Sequence, residues 1–397
     1  MNKRLDLNDK TKCCGCLSCK ISCPKKAIND YAYSNGSLYP SIDEKKCIDC
    51  GVCTGVCSFR NMKNLLKPIV GYAAITKNND LLNKSSSGGA FSTIASKYLK
   101  NGWKICGSIG YFKRELYIVE HVLTDNYEIV KKMYGSKYVQ SSIIDVLPDI
   151  KKSLINGEKI LFSGTPCQIS ALKGYLKKEY DNLLTIEIIC HGTPSQQMLN
   201  DYIRYYNNKN NCTVIDLAFR TKKYGWNNIG FIKYKKHNSN VIRKKDLFFN
   251  ESSYYYFFEK GYFFRESCYH CPFAGENRVG DITIGDFWGF EKVHDELVAK
   301  VNKKNGISCI LVNSNNGERI INECKNEFDL FESSFEKIKK YNRQLNVSTK
   351  RPDDLDAIIK EYEKKGYEAI ENEFKKKNKH FRFQIIKNKI KILLKRM

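Results

Sequence analysis

Two runs of cysteine carry the most specific chemistry in this chain. Cys13, Cys16, Cys19 and Cys23 precede Pro24 in a C-x2-C-x2-C-x3-C-P run, and Cys47, Cys50, Cys53 and Cys57 repeat the spacing further along. Soft thiolates so spaced suit cuboidal 4Fe–4S clusters, in which each iron takes one sulfur ligand from the protein. A tight C-x2-C-x2-C loop supplies three of the four, so the last ligand comes from elsewhere. Zinc also takes thiolates, but it draws on paired C-x2-C knuckles and fits two runs of four poorly. Cys14 is an extra thiol beside the first run and reads as a loop residue, not a ligand. Clusters of this kind pass single electrons, so something downstream must use them.

Three features further along carry more chemistry. Ser85-Ser86-Ser87-Gly88-Gly89 stands just before a helical pattern, placing free backbone N–H groups where a phosphate would meet the positive end of a helix. An ordinary Ser N-cap is the competing reading. Gly164-Thr165-Pro166-Cys167-Gln168 and Cys190-His191-Gly192-Thr193-Pro194 each follow a short apolar run. Active sites in α/β sheets gather at the carboxyl ends of strands, which lets the two cysteines face one another; each alone is as readily a buried packing thiol. Cys268 and Cys271 form a C-x2-C knuckle, with Arg278 and Gly280-Asp281-Ile282-Thr283-Ile284-Gly285-Asp286 close behind. A knuckle is half a metal site. Cys167 and Cys190 would complete the four thiolates of a third cubane.

These residues need elements to position them. Lys63 to Pro68 reads as a linker. Strands are expected over Ile69–Thr76, Trp103–Tyr111, Leu116–Val122, Lys159–Ser163 and Leu183–Ile189, with helices over Gly88–Lys100 and Gln168–Lys178. Alternation of this kind predicts an α+β or α/β fold: a ferredoxin-like module, a mixed α/β body and a helical, basic C-terminal tail. The expected divisions are 1–62, 68–150, 151–330 and 331–397.

Residues 6 to 62 resemble the bacterial ferredoxins that hold two 4Fe–4S clusters, with Ser58 where the second run would often have Pro. In that arrangement the last cysteine of each run crosses over. The resemblance thus implies Cys13, Cys16, Cys19 and Cys57 on one cluster and Cys47, Cys50, Cys53 and Cys23 on the other. Residues 68 to 330 resemble the beta-subunit family of coenzyme F420-reducing hydrogenases and F420-linked formate dehydrogenases. Ser87-Gly88-Gly89, Gly135-Ser136-Lys137-Tyr138, Gly164-Thr165-Pro166-Cys167-Gln168, Cys268-x2-Cys271 and Gly285-Asp286 carry the likeness. It implies an iron–sulfur flavoprotein, with FAD converting between one-electron clusters and a two-electron hydride partner. Ser87, Gly88 and Gly89 would belong to the flavin phosphate region, with Ser136, Lys137 and Tyr138 near the same cofactor. His191 is the only histidine inside a family-like motif; it is a candidate proton donor, and a hydrogen-bonded structural residue is the plainer reading. The hydride partner is left open between a deazaflavin coenzyme and a small organic or polysaccharide-pathway substrate.

Composition bounds the rest. The 397 residues are 42% hydrophobic and 28% charged, as in globular proteins. No stretch reaches the roughly 18 apolar residues of a membrane span, and Met1 to Cys23 lacks a secretory apolar core. A cytoplasmic location follows as the expectation, and the 17 cysteines then favour metal ligation over disulfides. The net charge of +24 comes without any zinc-finger, RNA-recognition or helix-turn-helix pattern, so nucleic acid is not an expected partner. From Lys375 to Met397 there is no acidic residue. Ile386, Ile390, Leu393, Leu394 and Met397 would form one apolar stripe flanked by Lys387, Lys391 and Lys395. Such a helix either touches an anionic membrane peripherally or packs on protein. Three functions compete: an oxidoreductase, an electron-relay subunit serving a redox partner protein, and a non-redox cluster protein.

Overall fold

The computed structural model describes residues 4–59, 62 and 65–378. The N-terminal module is a hairpin of β1 (Ile28–Ala32) and β2 (Leu38–Ile42) with short helices Ser18–Ile21 and Val52–Val56. Leu5, Cys19, Ile28, Cys53 and Val56 form its small core. Each helix begins after a left-handed residue, Leu17 at φ 57° and Gly51 at φ 75°. Those turns fold the cysteine loops back on themselves.

The body follows with β3 (Val70–Thr76), β4 (Lys104–Lys113), β5 (Leu116–Thr124), β6 (Ile160–Gly164) and β7 (Leu183–Ile188). After β8 (Cys212–Ala218), β9 (Gly230–Lys236) and β10 (Ile242–Leu247) come β11 (Ile282–Asp286), β12 (Ser308–Val312) and β13 (Phe328–Ser333). Eight strands form one sheet in the order β13-β3-β12-β11-β7-β6-β4-β5. Its centre is parallel, β11 with β7, β7 with β6 and β6 with β4, and its flanks are antiparallel. A parallel centre is covered on both faces, which is why its strands read as continuous apolar runs. Helices Val146–Ile155 and Pro166–Leu176 share one core with β6; helix Ala90–Lys100 shares another with β3, β4 and β12.

Strands β10-β9-β8 make a separate antiparallel sheet. Its core is aromatic, with Tyr202, Phe219, Tyr254, Tyr255 and Phe258 in one cluster with Leu355, Tyr362, Tyr367 and Phe374. The last four come from helices Leu355–Lys365 and Tyr367–Lys377.

Every expected strand and helix of the body lies within two residues of an observed one. Two of the expected divisions fall within observed elements. The boundary at 150 falls inside helix Val146–Ile155, and the one at 330 falls inside β13, which pairs with β3. A single sheet therefore draws strands from the whole span 70–333, and the helices up to Lys377 are packed into the aromatic core. The stripe from Ile386 to Met397 lies outside the described residues.

Candidate functional site

A cavity of about 750 Å³ opens at the carboxyl ends of β6, β7 and β11, beside Gly107 and Ser108 of β4, within the size range of small-molecule sites. The residues singled out by sequence converge on it. Ser85, Ser86, Ser87 and Gly89 line it together with Ser136, Lys137 and Tyr138, and so do Cys167, Cys190, His191, Cys268 and Cys271.

Two loops form one wall. The Ser86 hydroxyl accepts from the Ser136 N–H at 2.8 Å and lies 3.0 Å from the Ser136 hydroxyl, tying the serine loop to Gly135–Tyr138. Ser87 donates to Ile307 O at 2.8 Å, and Ser85 Oγ lies 2.7 Å from Ser92 Oγ. Gly88 itself does not line the cavity; it packs on backbone, and an added Cβ there would lie against Ala74 O and within 2.5 Å of Ser308 N. Gly89, at φ 85°, caps helix Ala90–Lys100 with no side chain over its end. The first turn of that helix, Ala90 to Ser92, faces the cavity, an arrangement suited to anionic oxygens.

Lys137 is engaged by backbone. Its ammonium donates to the carbonyls of Met133 at 2.8 Å, Lys132 at 2.9 Å and Gly135 at 3.2 Å, at the negative end of helix Tyr127–Met133. Burial lowers its pKa, while that helix end favours the charged form. Tyr138 stacks on Phe258 with centroids 4.4 Å apart.

The cysteines line the cavity as well. In the segment after β6, Pro166 takes the first helical position and Gln168 the third, where its Oε1 accepts from Thr165 N at 3.0 Å. These are helix-start devices, and they fix Cys167 in the first turn. Cys190 follows β7. Its thiol is pushed up to about 12 by burial and by the neighbouring Cys268 and Cys271. Burial and Cys268 likewise push Cys271 up to about 11. Cys190, Cys268 and Cys271 thus form one electrostatic group, whereas Cys167 Sγ lies 3.1 Å from Thr165 Oγ1 and beside Cys14.

Two buried residues that sequence reasoning left without a role position these cysteine segments. Glu187 on β7 and Arg278 are 0% and 2% exposed and pair at 3.1 Å. Glu187 also accepts from Val279 N at 2.9 Å, Gly280 N at 3.0 Å and Thr283 Oγ1 at 2.7 Å. Arg278 donates to the Asn277 and Phe273 carbonyls, closing the loop that carries Cys271. An acidic residue inside the apolar run 183–189 was the available signal, since a buried charge needs a partner.

His191 lies between Phe258 and Phe264, with centroids 5.5 and 5.3 Å away. Gln344 Nε2 meets its Nδ1 at 2.7 Å, an assignment that puts the ring proton on Nε2. Burial lowers its pKa, so the ring is neutral near pH 7.

In the N-terminal module, Cys23, Cys47, Cys50 and Cys53 line one small pocket. The thiol of Cys19 is raised by burial and then by Cys16, Cys13, Cys57 and Cys53. Cys57 thus lies near the first run, and Cys23 shares its pocket with three cysteines of the second. Cys14 is buried on a loop between the two regions. The Cys16 thiol lowers its pKa, but the Cys167 thiol and burial outweigh that. Among the described residues no three His, Cys, Asp or Glu side chains converge to hold a single metal ion. A cubane makes no such demand, because each thiolate meets a different iron.

Known proteins share part of this chain. The family described as the C terminus of the coenzyme F420 hydrogenase/dehydrogenase beta subunit matches residues 157–338. A chain in the F420-reducing [NiFe] hydrogenase complex from Methanosarcina barkeri, a xenon-derivatised structure, superposes with a TM-score of 0.43 at 15% identity. The match covers 78% of this chain and 91% of that one. No curated protein matches. No helix among the described residues is long and apolar enough to cross a membrane.

Proposed function

We propose that the chain is an iron–sulfur flavoprotein oxidoreductase, exchanging electrons with a redox partner and a hydride with a small organic molecule or deazaflavin coenzyme. The observation that carries this reading is the shared cavity. It is lined by the serine loop and an open helix end, by four cysteines, and by Cys14 and Cys16 of the N-terminal module. Cys13, Cys16, Cys19 and Cys57 would hold one 4Fe–4S cluster, Cys23, Cys47, Cys50 and Cys53 a second, and Cys167, Cys190, Cys268 and Cys271 a third. Ser87 and Gly89 would receive the FAD phosphates, with Gly88 letting the loop lie flat on β3 and β12. When bound, the clusters would supply single electrons and the flavin would pass them on in pairs.

The chain's own groups set the surroundings. Cys190 and Cys271, whose thiols burial raises, would hold a cluster as thiolates, and binding it would release their protons. His191, neutral with a proton on Nε2, is the candidate donor at the cavity wall. A cavity large enough for an organic molecule favours an enzyme over a pure relay.

Anaerobic purification with iron counting and flavin extraction tests the reading. It predicts one FAD per chain and ~12 irons, four per cubane. Replacing Cys268 and Cys271 with Ser should remove about a third of that iron, and Gly89→Asp should empty the flavin site by repelling phosphate. Stoichiometric zinc in place of iron, or native protein without flavin, would refute it.

A further inference from the structure

Among the residues lining the cavity is a buried arginine whose hydrogen-bonding capacity is only partly used. Arg220 follows β8, and its side chain is 4% exposed. Asp286 holds Nη1 at 2.7 Å, and Asn227 O accepts from Nε at 2.8 Å. Asp286 also accepts from Trp226 Nε1 at 2.7 Å. Trp226 stacks on Trp288 with centroids 4.6 Å apart and planes within 7°, and the guanidinium sits 5.9 Å from the Trp288 ring. The head group is thus fixed from two sides. Its Nη2 is buried without a hydrogen bond of ordinary length, and the Tyr138 hydroxyl lies close to the guanidinium.

A buried guanidinium nitrogen without an ordinary hydrogen bond leaves a desolvation cost uncompensated, and this one belongs to a cavity-lining residue. Tyr138, Asn228, Glu259, Asp286 and Trp288 line the cavity beside it. Burial raises the pKa of Glu259, moving its carboxyl toward the neutral form. Lys222 adds a second positive charge nearby and is committed to the carbonyls of Leu82 and Ser87. Asp286 balances one of these two cations, and Glu259 balances the other only in its ionised form.

We propose that Arg220 is an oxyanion-recognition residue of this cavity, its Nη2 receiving an oxygen of a phosphate or carboxylate group on the bound organic molecule. The fixed fork gives such an oxygen a defined direction, and the indole pair supplies a flat wall beside it. The inference deepens the proposed function by giving the ligand a chemical class, and it rests on that reading only in treating the cavity as a ligand site. A phosphate at this position has two sources, the flavin's own diphosphate or a separate substrate.

Equilibrium dialysis of the full-length protein against radiolabelled inorganic phosphate tests the proposal, on flavin-loaded and flavin-stripped samples. One phosphate per chain should bind, with affinity reduced at least tenfold in Arg220→Gln and less in Arg220→Lys, which keeps the charge but loses the fork. Binding to stripped protein alone assigns the oxyanion to the flavin; binding to loaded protein assigns it to a substrate. No binding to either native sample, or affinity unchanged in a folded Arg220→Gln, would overturn the proposal. If Arg220→Gln does not fold, Arg220→Lys carries the test by the same criterion. A native protein that binds phosphate but contains no flavin would refute the flavoprotein reading and leave the oxyanion site standing.

Discussion

Removing the positive half of the Glu187–Arg278 pair is the sharpest test of how the cavity wall is held. Arg278→Met is close in length, fills much of the same space, and leaves the Glu187 carboxylate, 0% exposed, without its countercharge. The N–H groups of Val279 and Gly280 and the Thr283 hydroxyl still donate to it, so the geometry has reason to persist while the charge balance does not. At 3.1 Å and an effective dielectric of about 20, the Coulomb attraction is on the order of 5 kcal/mol. Breaking buried pairs one partner at a time costs about 3–5 kcal/mol. We therefore expect Arg278→Met to lose about that much in anaerobic equilibrium urea unfolding, seen as a lower midpoint with an unchanged slope. Adding Glu187→Gln removes the stranded charge and should restore part of the loss, a coupling readable from the double-mutant cycle. A loss below about 1 kcal/mol in Arg278→Met, or a double variant that is simply additive, would refute the reasoning.

Three other perturbations have defined outcomes. His121 is buried, with Nε2 2.9 Å from Ser163 O, and burial depresses its pKa to about 4 from the ordinary 6.5. The unfolded chain therefore binds a proton first, and stability should fall by roughly 3 kcal/mol as pH drops between those values. A urea-unfolding series against pH should show that acid limb flattened in His121→Gln; an unchanged limb would remove His121 as its origin. Cys14→Ser should leave total iron unchanged, since the proposed clusters already have their ligands; loss of about four irons, one cubane, would make Cys14 a ligand. Gly174→Val should weaken docking of the N-terminal module, because a Cβ there would sit 2.7 Å from Val56 O. The expected result is faster proteolysis between residues 59 and 69 with iron retained, and an unchanged cleavage rate would count against that contact.

The body's strands were legible because parallel, doubly covered strands leave uninterrupted apolar runs such as Ile160–Phe162, each residue 0% exposed. Helix starts were legible from their own chemistry, as Thr165, Pro166 and Gln168 illustrate. The sheet's connectivity was less so, because the edge strand β13 pairs with β3 across more than 250 residues of chain and local pattern carries no record of a distant partner. The helices after residue 350 read as a basic tail because their charged faces dominate the composition. The positions that matter for packing, Leu355, Ile358, Tyr362, Ile370 and Phe374, are spaced apart and buried against aromatic residues from around 202 and 254.

The same distinction separates the site residues that could be read from those that could not. Cysteines at fixed spacing announce their chemistry because a cluster imposes that spacing. Arg220 and Glu187 carry no such mark; each acts through partners 60 or more residues away, Asp286 for the first and Arg278 for the second. Their spatial order also bears on the proposed electron path. The pocket holding Cys23, Cys47, Cys50 and Cys53 is lined by N-terminal residues alone, whereas Cys14, Gly15, Cys16 and Leu17 reach the body's cavity. Arg265, 2% exposed, reinforces that junction. Its guanidinium donates to Leu38 O at 2.7 Å and Gln140 Oε1 at 2.9 Å, and its charge offsets part of the rise that burial imposes on the thiols of both Cys13 and Cys268. On the proposed assignment one buried cation thus stands between the first cysteine run and the body's knuckle, while the pocket of Cys23, Cys47, Cys50 and Cys53 has no body residue in its lining. Electrons from outside would then enter at that pocket and reach the body through the other N-terminal group.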